Sequence, residues 1–192
     1  MSPPASCADS ADGSPGSSSG RRAAAGALAA TVVTAGLIGA GWAVIGPTGF
    51  TFAWVTHVLL MAWVSVLSGA WTRALEHPWF RVAAWERAVH EAVGVRAYGR
   101  VLDATGWNRV IERTRGFDGT RAGLPALDQH TRRSEGGHLL CVLIAVLLAG
   151  AAAGTGAWSG AGWLVGLGIV LHLYPALLQR LLRLRIQALR AR

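Results

Sequence analysis

The sequence predicts an all-α integral membrane protein, with four transmembrane helices in two hairpins and a cytoplasmic amphipathic helix and loop between them. Three observations carry this reading. Of the 192 residues, 52% are hydrophobic and only 15% charged, where a soluble domain carries about 25%. Mean hydropathy is +0.38. All 18 basic residues are Arg, and they leave two long stretches empty, between Arg22 and Arg73 and between Arg133 and Arg180.

Crossing the hydrocarbon core takes about 20 apolar residues, so each empty stretch holds two spans. Ala23 to Gly46 is the first and Phe50 to Ala70 the second, separated by the turn-forming Gly46-Pro47-Thr48-Gly49. Leu139 to Ala153 is the third; Gly154-Thr155-Gly156 interrupts, and Trp158 to Leu178 is the fourth. Five segments follow: a disordered tail (1–22), the first hairpin (23–71), a cytoplasmic segment (72–137), the second hairpin (138–179) and a basic tail (180–192). Arg21-Arg22 ahead of an apolar run resembles an export signal, but the run far exceeds the roughly 7–15 residues of a signal core. Gly150/Gly154 and Gly162/Gly166 have the spacing of close helix packing, which also permits a homodimer.

Orientation follows from where arginines fall. The N-terminal tail, the central segment and the C-terminal tail hold all of them and the hairpin turns none. Both termini and the central segment are therefore expected in the cytoplasm. Trp71 and Trp158 mark span ends. An excess of +8 confined to the flanks of spans is a topology signal, so no nucleic-acid partner is expected. Cys7 and Cys141 are far apart and form neither a disulfide framework nor a metal motif.

Within the central segment Phe80, Val82, Ala83, Trp85, Val89, Ala92 and Val93 recur with helical periodicity. This predicts an amphipathic helix at the membrane surface, ended by Gly94, with Trp79 and Trp85 at headgroup depth. A second short stretch, Val95 to Leu102, precedes a Gly- and Arg-rich loop to Gly123.

Two motifs carry chemistry. In Thr131-Arg132-Arg133-Ser134-Glu135-Gly136-Gly137-His138, Glu135 and His138 share a helix face. A carboxylate beside an imidazole fixes its tautomer and suits it to general-base work on an alcohol. The spacing also fits two metal ligands, but no further ligands accompany them, so no metal is expected. Gly136-Gly137 is read as room for a substrate. In the second motif, His172-Leu173-Tyr174-Pro175 followed by Gln179-Arg180 and Arg183-Leu184-Arg185, His172 lies inside the fourth span, where an ionisable group is a functional candidate. Pro175 is expected to kink the helix. The freed carbonyl, His172 and Tyr174 would line a polar pocket, with Arg180, Arg183 and Arg185 at phosphate level.

These residues resemble the glycosyl-4,4'-diaponeurosporenoate acyltransferase family. The likeness lies in T-x-R-x-E-x-x-H, an apolar hairpin, and Q-R-x-x-R-x-R before an aliphatic residue. Upstream, Trp85-Glu86 resembles the family's W-E element, and Val95 to Leu102 its V-[RK]-x-W-K-x-x-L element. The resemblance runs from about Pro78 to Ile186. It implies a small bacterial cell-membrane enzyme esterifying a fatty acyl chain onto the sugar of a glycosylated carotenoid. It carries over Arg133, Glu135, His138, Gln179, Arg180, Arg183 and Arg185. Departures stand at Tyr98 (family Trp), Gly99 (Lys), His172 (Asn) and Leu182 (Asn); the change at His172 bears on substrate more than on fold.

Three functional readings follow. In the first, His138 oriented by Glu135 deprotonates a sugar hydroxyl. Arg133, His172, Tyr174, Gln179, Arg180, Arg183 and Arg185 bind substrates. No cofactor is bound, and an acyl thioester (acyl-CoA or acyl carrier protein) serves as co-substrate, with a lipid acceptor reached through the membrane. Guanidinium forks suit the donor's phosphates. A second reading is another lipid-modifying enzyme, a methyltransferase or reductase. A third is a non-catalytic structural or accessory subunit whose charges serve topology and lipid contact.

Overall fold

The computed structural model describes residues 15–68, 74–107 and 117–191. All regular elements among these residues are helical. Helix α1 is Pro15–Val44 and α2 Phe50–Leu67. Short 3-10 turns, Ala74–Glu76 and Pro78–Phe80, lead into α3 (Glu86–Ala92) and α4 (Val95–Ala104). Helix α5 is Leu124–Gly154, α6 Trp158–Gly168 and α7 Tyr174–Arg190, the last two joined by a π turn at Ile169–Leu173. Four helices are long and apolar enough to cross a membrane: Gly20–Val44, Phe50–Leu67, Leu124–Gly154 and Trp158–Arg190.

The expected segments shift at their edges. Helix α1 already begins at Pro15, inside the expected tail; residues 1–14, Trp71 and 108–116 of the expected loop lie outside the described residues. Helix α5 begins at Leu124 with Pro near its start, a position that tolerates the missing N–H. The motif Thr131 to His138 is thus helical throughout. The basic tail is instead the last turns of α7, continuous with the fourth span. The expected single amphipathic helix is broken into the Pro78–Phe80 turn, a link and the shorter α3. Gly94, at φ +79°, ends α3 in the left-handed region that Gly tolerates.

Pro175 does not simply kink the fourth span. Its missing N–H is absorbed by the π turn one residue earlier, where the Tyr174 N–H reaches Ile169 O. Buried positions Leu164, Gly168, His172 and Ala176 recur at a strict spacing of four. A straight α-helix repeats every 3.6 residues and would carry such a row off the core. The wider π turn keeps it inward.

Helices α2, α5, α6 and α7 form the packed body, and α1 packs along α2. The bundle changes character along its length. At the end bearing the hairpin turns, Phe52, Ala53, Ala149, Ala152, Ala157, Ala161 and Leu164 make a dry cluster of mostly small side chains. A Cβ on Gly160 would collide with the Pro47 carbonyl, so the first hairpin's turn sits directly on α6. At the other end Val82 and Val95 pack on Leu181 and Leu184 and dock the segment with α3 and α4 onto α7.

Within the chain the glycine pairs face open space: a Cβ on Gly150, Gly154, Gly162 or Gly166 meets nothing within 4 Å. The close approaches are at Gly160 and at Gly137, where a Cβ would run into the Val64 side chain. Gly137 therefore admits helix α2 against α5, and not a substrate.

Candidate functional site

The site occupies the arginine-bearing end of the bundle. Helix α5 contributes Asp128, Thr131 and Glu135, α7 contributes Arg180 and Arg183, and the docked segment contributes Glu86, Trp79 and Phe80. Arg183 is fully buried. Its Nη2 lies 2.6 Å from Glu135 Oε2, as an ion contact outside hydrogen-bond alignment. Nε donates to Thr131 Oγ1 (3.2 Å) and Nη1 to Phe80 O (3.0 Å). Arg180 donates Nη1 to Glu135 Oε1 (2.6 Å), and Nε and Nη2 to the two oxygens of Glu86 (2.8 and 3.1 Å). Its guanidinium stacks over Trp79, 5.2 Å from the ring centre. Arg132 pairs with Asp128 and donates to Leu75 O.

Glu86, Asp128 and Glu135 thus join Arg132, Arg180 and Arg183 in one network, with half-exposed Arg190 at its edge 3.7 Å from Asp128, and this pairing offsets charge that would be costly to bury alone. It corrects two expectations. Arg180 and Arg183 do not present open forks; their donors are engaged with Glu86, Glu135, Thr131 and backbone carbonyls. Nor does Glu135 orient His138, since its carboxylate is divided between Arg180 and Arg183. Arg185 alone of that triplet is exposed. Arg133 is half-buried, and both its Nε and Oε1 of buried Gln179 lack a hydrogen-bond partner.

Beside this network opens a cleft of about 340 Å³, lined by Trp79, Trp85, Glu86, His90, Glu135, Leu139, Ala176, Leu177 and Arg180. Burial pushes the Glu86 carboxyl upward, but hydrogen bonds from Arg180 and the Ala83 N–H outweigh this and hold it below its ordinary value. His90 is 4% exposed, and its Nδ1 has no hydrogen-bond partner. Burial pushes its pKa below the ordinary value; Glu86 pulls against this and Arg180 adds to it. The ring is therefore neutral at neutral pH, with an acceptor-capable nitrogen in the cleft wall.

One turn deeper, His138 contacts a second polar group. Its Nδ1 lies 3.3 Å from His172 Nδ1, His172 Nε2 lies 2.9 Å from His57 Nδ1, and His57 Nε2 lies 3.0 Å from Leu164 O. His57 and His172 are fully buried. The three rings run in a line; among the described residues no three such side chains are grouped to hold a metal. Cys141 Sγ, also buried, turns to Leu60 O.

Tyr174 does not join His172 in a pocket. Its hydroxyl donates to Val93 O, and its ring stacks on Tyr98 at 5.0 Å. The carbonyl freed by Pro175 is also taken. In the π register Val170 O would look to residue 175, which has no N–H, and the Tyr98 hydroxyl donates to it instead (3.0 Å). Burial raises the Tyr98 pKa and keeps that proton in place.

Sequence reasoning missed His90, Asp128 and His57, and read Glu86 only as part of a motif. His57 was open to detection, because the rule that singled out His172 in an apolar span applies equally to it. His90 carried no such signal, being one polar residue on an exposed-looking helix.

The model of one protein family, described as glycosyl-4,4'-diaponeurosporenoate acyltransferase, matches residues 76–192. No curated protein and no solved structure matches significantly.

Proposed function

Because the chain belongs to the glycosyl-4,4'-diaponeurosporenoate acyltransferase family, acyltransferases of carotenoid synthesis, we propose that it esterifies a fatty acyl group onto a sugar hydroxyl of a glycosylated carotenoid or a similar lipid. One observation supports this most: every residue lining the cleft falls within the matched 76–192. The cleft joins aromatic surface, from Trp79 and Trp85, to carboxylate, imidazole and guanidinium groups, as an amphiphilic glycolipid head requires.

In this reading a thioester supplies the acyl group, and a histidine takes the hydroxyl proton as the oxygen attacks the thioester carbonyl. The thiolate leaves and is protonated. His138, one turn below the residues lining the cleft, is the base: its Nδ1 is engaged with His172 at 3.3 Å, which leaves Nε2 for the hydroxyl proton. Arg185, Arg133 and Gln179 retain capacity for substrate, whereas Arg180, Arg183 and Glu135 hold the cleft's shape. The cleft and both chain ends face the cytoplasm, as the arginine distribution requires, and the lipid acceptor enters from the membrane.

His90 supports a second reading, in which it is the base, because it lines the cleft with an unpartnered Nδ1. The test uses purified full-length protein in nanodiscs with a glycosylated carotenoid and a labelled acyl thioester. Product mass rising by one acyl group supports the reading, and no transfer from either acyl-CoA or acyl carrier protein overturns it. His138→Ala and His90→Ala then assign the base: the essential one loses on the order of 10²–10⁴-fold in kcat.

A further inference from the structure

We propose that His57 and His172 are positioning residues that lock His138 in its Nδ1–H tautomer, leaving Nε2 as a directed lone pair. The inference rests on His138 being the base and deepens that reading.

Leu164 O accepts only, so the 3.0 Å contact requires His57 to carry its proton on Nε2. Its Nδ1 is then an acceptor, and the 2.9 Å contact requires the proton of His172 on Nε2. That leaves His172 Nδ1 an acceptor, and the 3.3 Å contact requires the proton of His138 on Nδ1. Three neutral rings supply three N–H groups for three contacts, and this direction is the one that satisfies all of them. The chain is anchored in a helix backbone, and its first two rings are sealed from water.

Two features of the fold bring these rings together. His57 comes from α2, outside the matched 76–192, so the first hairpin reaches into the second hairpin's polar centre. His172 stands in the π turn, which turns its ring inward on the row of buried residues.

The experiment is nitrogen NMR of the full chain with labelled histidine in nanodiscs. The lock predicts Nε2–H signals for His57 and His172 and an Nδ1–H signal for His138. An Nε2–H signal for His138 in the unaltered protein overturns it, and this needs no variant to fold. His57→Ala should return His138 to a tautomer mixture and lower kcat on the order of tenfold or more with KM held. An unchanged His138 signal in that variant also overturns the lock. His172→Asn keeps an acceptor oxygen near the Nδ1 position and should preserve the His138 signal where His172→Ala loses it. The predicted signals together with full activity in His138→Ala would support the lock while removing His138 as the base, so the two readings fail separately.

Discussion

Arg183 and Glu135 face each other at 2.6 Å with neither side chain exposed to solvent. They sit on different helices, so each supplies the charge that permits burial of the other. Removing one partner of such a pair costs about 3–5 kcal/mol, because the survivor is left uncompensated. Glu135→Gln, nearly unchanged in volume, should therefore lower the melting temperature in detergent sharply. The double change Glu135→Leu with Arg183→Leu should recover much of the loss, as apolar replacement of both charges does elsewhere. If the single change is silent, the pair does not hold the end of the bundle.

Gly137 offers a cleaner test of helix approach. Gly137→Ala should destabilise by about 1–3 kcal/mol through overpacking against Val64. Adding Val64→Ala opens the space and should restore stability, giving a coupling that a double-mutant cycle reads directly. Gly150→Ala, which meets nothing, should be neutral or slightly stabilising in the same melts.

The Tyr98 hydroxyl fills a backbone vacancy created by Pro175. Tyr98→Phe leaves the Val170 carbonyl unsatisfied, at a cost of about 1–3 kcal/mol. Melts of the two proteins side by side measure this. Because the carbonyl belongs to the turn that carries His172, the histidine NMR signals should broaden as well.

Acid should loosen the docked segment. Glu86 titrates below its ordinary 4.5 when folded, and His90 below its ordinary 6.5. In both cases the unfolded chain binds the proton more readily, so their contributions are complete above the ordinary values and lost as pH falls through the folded ones. Melting temperature should hold between pH 7 and 8, fall once pH drops under 6.5, and fall further under 4.5. A rise in stability on acidification would contradict the sign.

Much of this was legible from residues alone. Apolar length and the positions of arginine announce four membrane-length helices, and Glu135, His138, Arg180 and Arg183 do gather at one end. What periodicity does not carry is pairing across the chain. Glu135 is three residues from His138, yet an arginine 45 positions away takes its carboxylate. Local spacing weighs only neighbours on one helix, whereas a buried carboxylate is claimed by whichever cation the fold delivers. The glycine pairs have no neighbour within the chain for a related reason. Spacing by four shows that small residues share a face, but not that any helix lies opposite.

The π turn at Ile169–Leu173 sets the phase of everything after it. One residue accommodated in that turn rotates the remainder of the helix by about 100°. Were the turn to relax to ordinary α register, Gln179, Arg180 and Arg183 would swing together away from Glu86 and Glu135. A guanidinium now sealed among carboxylates would then face α5's flank or the lipid. The arginine network is thus indexed to a backbone irregularity two to three turns away. Deleting a single residue there would let the turn close into ordinary α-helix with every charged contact on α7 still at its address, whereas a deletion beyond Pro175 would displace them all.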